Sequence, residues 1–179
     1  PHMIEAFNSG EDIHRKTASQ VFNVDFDQVT PELRSAAKAV NFGIIYGKSD
    51  FGLAQDLNIS QKKAKEYIES YFNKYETIKA FMDHIVSDAE EKGYSTTMFN
   101  RRRYIPEIKS SNFVEKNRGK RAAMNAPIQG SAADIIKIAM VNVYNRLKEQ
   151  GLKSRLILQV HDELIVEATG DELDQVEVL

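Results

Sequence analysis

The chain has 179 residues, enough for one domain or two small ones, and its 42% hydrophobic and 28% charged residues match a soluble globular protein rather than a disordered one. It has no cysteine, which excludes disulfides and thiolate metal sites, and it lacks the run of about 18 apolar residues that a bilayer crossing requires. Net charge is −2 but unevenly spread: Phe99 to Arg121 carries eight basic residues against two acids, and Asp162 to Leu179 carries seven acids with no Lys or Arg. A basic stretch of this kind suits either a phosphate backbone or an ordinary solvated face.

Pro1-His2-Met3 has neither the basic segment nor the apolar core of a signal peptide and reads as an expression-tag remnant. Ile13, Thr17 and Val21 recur every four residues, so a helix is predicted over Asp12 to Phe22. Thr30-Pro31 offers a hydroxyl cap followed by a proline that needs no amide partner, and starts a helix that ends near Tyr46 at Gly47. Ser49-Asp50 caps a short helix to Leu57, and Ser60 opens a helical pair that Gly93 ends. Tyr94 to Met98 and Arg102 to Ile105 suit two short strands around Asn100-Arg101. A helical region from Asn112 to Leu147 should be broken or kinked at Pro127 and Gly130. Leu156, Leu158 and Val160 alternate with Arg155, Ile157 and Gln159, and Leu164, Val166 and Ala168 repeat that period, so a hairpin is predicted with His161-Asp162 as its turn, Asp162 being suited to the left-handed region. The predicted fold is mainly α, of α+β type, with two hairpins.

Arg34, Lys38, Phe42 and Tyr46 stand at four-residue steps, a slowly winding stripe about 18 Å long on a helix. Two cations lie toward the positive end of the helix dipole, where phosphates are favoured, and two aromatics follow where a base and sugar could stack. The same spacing also fits an amphipathic helix with snorkelling cations and a buried Phe and Tyr. The whole string, Arg34-Ser-Ala-Ala-Lys38-Ala-Val-Asn-Phe42-Gly-Ile-Ile-Tyr46-Gly47, resembles the motif B helix of family A DNA polymerases. That resemblance implies that Arg34 and Lys38 bind the triphosphate, Phe42 packs on the sugar and base, Tyr46 sits by the templating position, and Gly43 lets backbone approach closely. In Asp12-Ile13-His14-Arg15, His14 matches a family position that contacts the outer phosphates. Single-subunit RNA polymerases share the Arg, Lys and Tyr-Gly frame, whereas Asn41-Phe42-Gly43 favours the DNA enzymes.

A hairpin turn of His161-Asp162 in place of Asn-Gly puts ionisable groups where local preference asks for glycine, and such departures gather at functional sites. Carboxylates with free oxygens suit a hard cation such as Mg²⁺, though a solvated polar turn is the simpler reading of the four residues alone. Gln159-Val160-His161-Asp162-Glu163-Leu164 resembles motif C of the same family, which implies a catalytic, metal-holding Asp162, a supporting Glu163 and a His161 near the primer terminus. Arg121-Ala-Ala-Met-Asn125-Ala-Pro127-Ile-Gln129-Gly130 resembles the segment whose polar side chains touch the DNA minor groove, with Arg121, Asn125 and Gln129 in those positions. Thr97 to Pro106 resembles the fingers hairpin, with Asn100 where glycine is common.

Together the motifs imply a template-directed DNA polymerase of replication and repair, working in the cytoplasm on primer-template DNA and dNTPs with two Mg²⁺ ions. They divide the chain into a palm–fingers junction (4–14), fingers (15–116) and partial palm (117–179). The motif A strand that brings the second metal-holding Asp is not found, so the chain alone should be inactive and should need the remainder of the parent enzyme. A non-catalytic nucleic-acid-binding module is the alternative, and self-association through uncovered sheet edge is a further expectation.

Overall fold

The structure, a computed structural model, describes residues 2–179. Pro1 lies outside the described residues, so the reading of 1–3 as a tag remnant falls partly beyond them. Helix α1 (His2–Asn8) opens the chain, and Met3 packs against the first core cluster. The next four helices each start where an oxygen accepts from first-turn amides. Asp12 caps α2 (Ile13–Phe22), Thr30 caps α3 (Pro31–Ile45), Ser49 caps α4 (Asp50–Leu57) and Ser60 caps α5 (Gln61–Lys74). Asn23 and Asn58 close α2 and α4 in the left-handed region. Helix α6 (Glu76–Lys92) ends the same way at Gly93.

Strands β1 (Tyr94–Thr96) and β2 (Arg102–Tyr104) pair, and a short 3-10 turn, Pro106–Lys109, leads into α7 (Phe113–Glu149). A second hairpin of β3 (Arg155–Val160) and β4 (Glu163–Glu167) and a last short helix α8 (Leu173–Glu177) complete a mainly helical chain. The chain forms two compact units: one runs to Ser95 and adds Arg103–Asn125, the other joins Thr96–Arg102 to Ala126–Leu179.

In the first unit the core is built from α2 to α5, with Val21, Val40, Ile44, Leu53, Ala64, Tyr71 and Tyr75 buried together. Ala18 and Ala37, both fully buried, let α2 and α3 approach closely. A second cluster joins Ile85 and Ala89 of α6 to Ile105, Ile108 and Ala123.

Helix α7 does not end at Pro127 or Gly130, contrary to the expected break. Proline has no N–H, so the Ala123 carbonyl loses its helical partner. The Ser95 hydroxyl replaces it, donating to that carbonyl at 3.2 Å. In the second unit Gly130 faces Thr97, whose Cγ2 would lie 2.6 Å from an added Cβ, so it serves close packing rather than termination. Around this contact Arg101 pairs with Asp134 at 2.6 Å and the Met98 amide donates to the Ser131 hydroxyl at 3.0 Å. Asn100 takes φ 62°, the turn geometry that glycine would otherwise provide.

The β3–β4 hairpin has the predicted two-residue turn but not the predicted face. Leu156 pairs with Val166 and Leu158 with Ile165, so a register shift at Ile157 turns Leu156 and Leu158 to opposite sides. It is also His161, not Asp162, that adopts positive φ (53°), a region His enters more readily than most residues.

Two expected outcomes follow from this packing. An alanine Cβ at Gly119 would sit 2.6 Å from the Ile108 amide nitrogen and 2.7 Å from its Cα. Backbone cannot rotate aside, so Gly119→Ala should lower stability by about 3 kcal/mol, the upper part of the overpacking range, read from urea unfolding. In the second unit, Glu172 Oε1 accepts from the Lys153 amide at 2.9 Å, while Oε2 accepts from the Ser154 amide at 2.8 Å and the Ser154 hydroxyl at 2.6 Å. These bonds, the Lys153 amide first, hold its carboxyl down to about 2 from an ordinary 4.5. The folded state thus binds fewer protons than the unfolded one across that interval, so the stabilisation is complete above about 4.5 and is lost as pH falls toward about 2. Glu172→Gln should flatten that part of a stability-against-pH curve from thermal unfolding.

Candidate nucleotide and metal sites

Helix α3 divides into two faces. Ala37, Val40, Asn41, Gly43 and Ile44 are buried, and Arg34, Lys38, Phe42 and Tyr46 lie on the exposed side. Phe42 and Tyr46 keep 43% and 44% of their surface in water, so they are not the buried anchors of an ordinary amphipathic helix. Their rings stack at 6.4 Å and 24°. The Lys38 ammonium lies 5.9 Å from the Phe42 ring centre, and the His14 ring lies 5.9 Å from it on the other helix. The stripe read from the sequence is therefore continuous, and α2 adds His14 to it.

Asp12 holds both helices in register. Its Oδ1 accepts from the His14 and Arg15 amides, each at 3.0 Å, and its Oδ2 accepts from Arg34 Nε at 2.7 Å. The Arg15 amide and the Arg34 guanidinium keep the Asp12 carboxyl below the usual range. With Nε engaged, both Arg34 Nη groups remain without a hydrogen-bond partner among the described residues. Burial pushes the His14 imidazole below its ordinary value; Asp12 opposes this, while Arg34 and Lys38 add to it. Cations, a neutral imidazole and stacked rings on one open face can accept an anion at one end and an aromatic ring at the other.

Gly43 is buried, and a Cβ there would meet Lys48 Cβ at 3.6 Å and Leu53 Cδ1 at 3.7 Å, an ordinary contact. At the end of α3, Gly47 seats against Arg121 and Met124 of α7. Arg121 is exposed beside the stripe's Tyr46 end, and Asn125, one turn later, keeps a buried Nδ2 with no hydrogen-bond partner. Gln129 follows on the part of α7 that belongs to the second unit, where it is exposed.

In the second unit, His161, Asp162 and Glu163 are exposed at the tip of the β3–β4 hairpin. The Gln159 side-chain amide donates to the His161 carbonyl at 3.0 Å and braces the turn. Neither the Asp162 nor the Glu163 carboxylate makes a hydrogen bond or ion pair among the described residues. Two adjacent carboxylates with free oxygens fit part of the shell of a hard divalent cation that keeps several waters. Among the described residues no cluster of three or more metal-binding side chains occurs, so this tip alone does not complete a site.

Sequence reasoning missed three residues: Asp12 as the partner of Arg34, Asn41 as the buried amide between α2 and α3, and Gln159 as the brace of the turn. Asn41 left a legible signal, an amide at a position where α3 otherwise buries Ala37, Val40 and Ile44.

The family model "DNA polymerase family A" matches residues 1–179. The chain is 56% identical over 174 residues to DNA polymerase I of Bacillus caldotenax, and 55% identical over 172 residues to that of Caldicellulosiruptor bescii. Those matches cover 97% and 96% of this chain, which spans 20% of the length of each relative. Among solved structures, the POL domain of Pol1 from M. smegmatis in complex with DNA primer-template and dNTP superposes with a TM-score of 0.93 at 49% identity, covering 98% of this chain and 31% of that one. With every residue inside the family match and more than half identical to such relatives, the chain belongs to DNA polymerase family A.

Proposed function

We propose that the chain supplies the fingers (15–116), the palm–fingers junction (4–14) and part of the palm (117–179) of a template-directed DNA polymerase acting in bacterial replication and repair in the cytoplasm. The observation that carries this reading is the stripe on α3, with its cations and aromatics in solvent while the opposite face of the helix is buried. Arg34, Lys38 and His14 receive the triphosphate of an incoming dNTP, charge against charge. Phe42 stacks on its sugar and base, and Tyr46 borders the templating position, with Gly43 behind them. Arg121, Asn125 and Gln129 meet the minor groove of primer-template DNA, where every correct pair presents acceptors. His161 lies by the primer terminus.

Asp162, with Glu163 beside it, would hold Mg²⁺. When bound, such ions stabilise the attacking and leaving oxygens of phosphoryl transfer. Among the described residues the hairpin tip offers these two carboxylates and no larger cluster, so on this reading polymerisation draws on a longer polymerase chain.

In that longer protein, Lys38→Ala should raise the KM for dNTP roughly 10- to 100-fold, the worth of a charge-assisted bond to phosphate. Asp162→Asn should instead cut kcat at least roughly 100-fold with little change in dNTP affinity. Single-nucleotide primer extension measures both, and a full rate in the Asp162→Asn enzyme would overturn the metal assignment. Asp12→Asn keeps a capping oxygen but loses the acceptor for Arg34. If Asp12 aims the guanidinium, dNTP binding should weaken roughly 2- to 5-fold, as for an exposed ion pair. Tighter binding in equilibrium dialysis would mean that Asp12 competes with the ligand instead.

A further inference from the structure

We infer that Asn41 is a positioning residue for His14: its buried carboxamide donates to Nδ1 and so fixes the imidazole as the tautomer with its proton on Nε2. The inference deepens the nucleotide reading of α3 and rests on it for its purpose, though not for its geometry.

The polarity follows from the hydrogen count. Thr17 is fully buried beside the Tyr75 hydroxyl, and of the acceptors its hydroxyl reaches, the Ile13 carbonyl at 2.8 Å is closer than Asn41 Oδ1 at 3.3 Å, so we assign its single proton to Ile13. Toward Asn41 the Thr17 oxygen is then only an acceptor, and Asn41 Nδ2 donates to it at 3.1 Å, closer than Asn41 Oδ1 at 3.3 Å. The second hydrogen of the same Nδ2 points to His14 Nδ1 at 3.0 Å. A flipped amide would set Oδ1 at the closer position, 3.1 Å from the Thr17 lone pairs, and leave Nδ2 only the longer 3.3 Å approach. Nδ1 must therefore carry a lone pair, and the neutral ring keeps its hydrogen on Nε2. Nε2 has no hydrogen-bond partner among the described residues, and the charged groups about the ring are Asp12, Arg34 and Lys38. An Nε2–H offers a donor to a phosphate oxygen, whereas the other tautomer would oppose a lone pair to it. The carboxamide thus converts a helix–helix contact into a choice of which ring edge meets the ligand.

Long-range ¹H–¹⁵N spectra of the chain labelled at histidine, at about pH 8 where an ordinary imidazole is neutral, test this, with His14→Gln used to assign the signal. The expected spectrum has an unprotonated Nδ1 and a protonated Nε2. Asn41→Asp, which has the same shape but cannot donate, should move the proton to Nδ1. A protonated Nδ1 in the wild type, or an unprotonated one in Asn41→Asp, would overturn the inference; if Asn41→Asp fails to fold, the wild-type spectrum decides alone. Titration with inorganic tripolyphosphate should shift the Nε2 signal. No shift, with the tautomer as expected, would sink the nucleotide reading and its purpose for Asn41 while leaving the geometric assignment intact.

Discussion

Helix α3 must keep two large aromatic rings in water. Each buried aromatic side chain is worth roughly 1.5–3 kcal/mol, so leaving Phe42 and Tyr46 nearly half exposed forgoes a good part of that. The helix is held instead by its other face. Ala37 packs with Ala18 and Val29, and Val40 and Ile44 enter the core shared with α4 and α5. Because alanine allows α2 and α3 to come close, two α3 side chains reach α2: Arg34 to Asp12 and Asn41 to His14 and Thr17. The exposed stripe and its polar supports are thus consequences of one close helix contact.

Much of this was legible in the sequence because local chemistry decides it. Thr30-Pro31, Ser49, Ser60 and Gly93 bound helices at the expected places, and the four-residue stripe on α3 lies on one exposed side. The two-residue turn at His161-Asp162 was likewise visible, and so were the carboxylates at its tip. What was not legible depends on residues distant in sequence. Pro127 reads as a break until Ser95, on another element, supplies the missing donor. The register shift at Ile157 emerges only from pairing with β4. Asn41 reads as one polar residue in an apolar face until Thr17 fixes which way its amide points.

The two candidate sites differ in how they are supported. Around α3, Arg34 and His14 are each held by a polar partner, with Asp12 shared between a helix cap and a guanidinium. At the hairpin tip the carboxylates stand in solvent, with the Gln159 amide bracing the backbone alone. Such a turn presents oxygen donors without surrounding them.

The positive φ of His161 carries a cost that glycine would avoid, about 1–2 kcal/mol before the extra freedom glycine gives the unfolded chain is counted. An engineer seeking a hardier protein by relieving backbone strain would be drawn to this position early. The same exchange would strip the imidazole from beside Asp162 and loosen the loop that displays it. On the proposed function, durability and chemistry therefore pull in opposite directions at a single residue, and selection for heat tolerance alone would tend to erode the turn that displays Asp162.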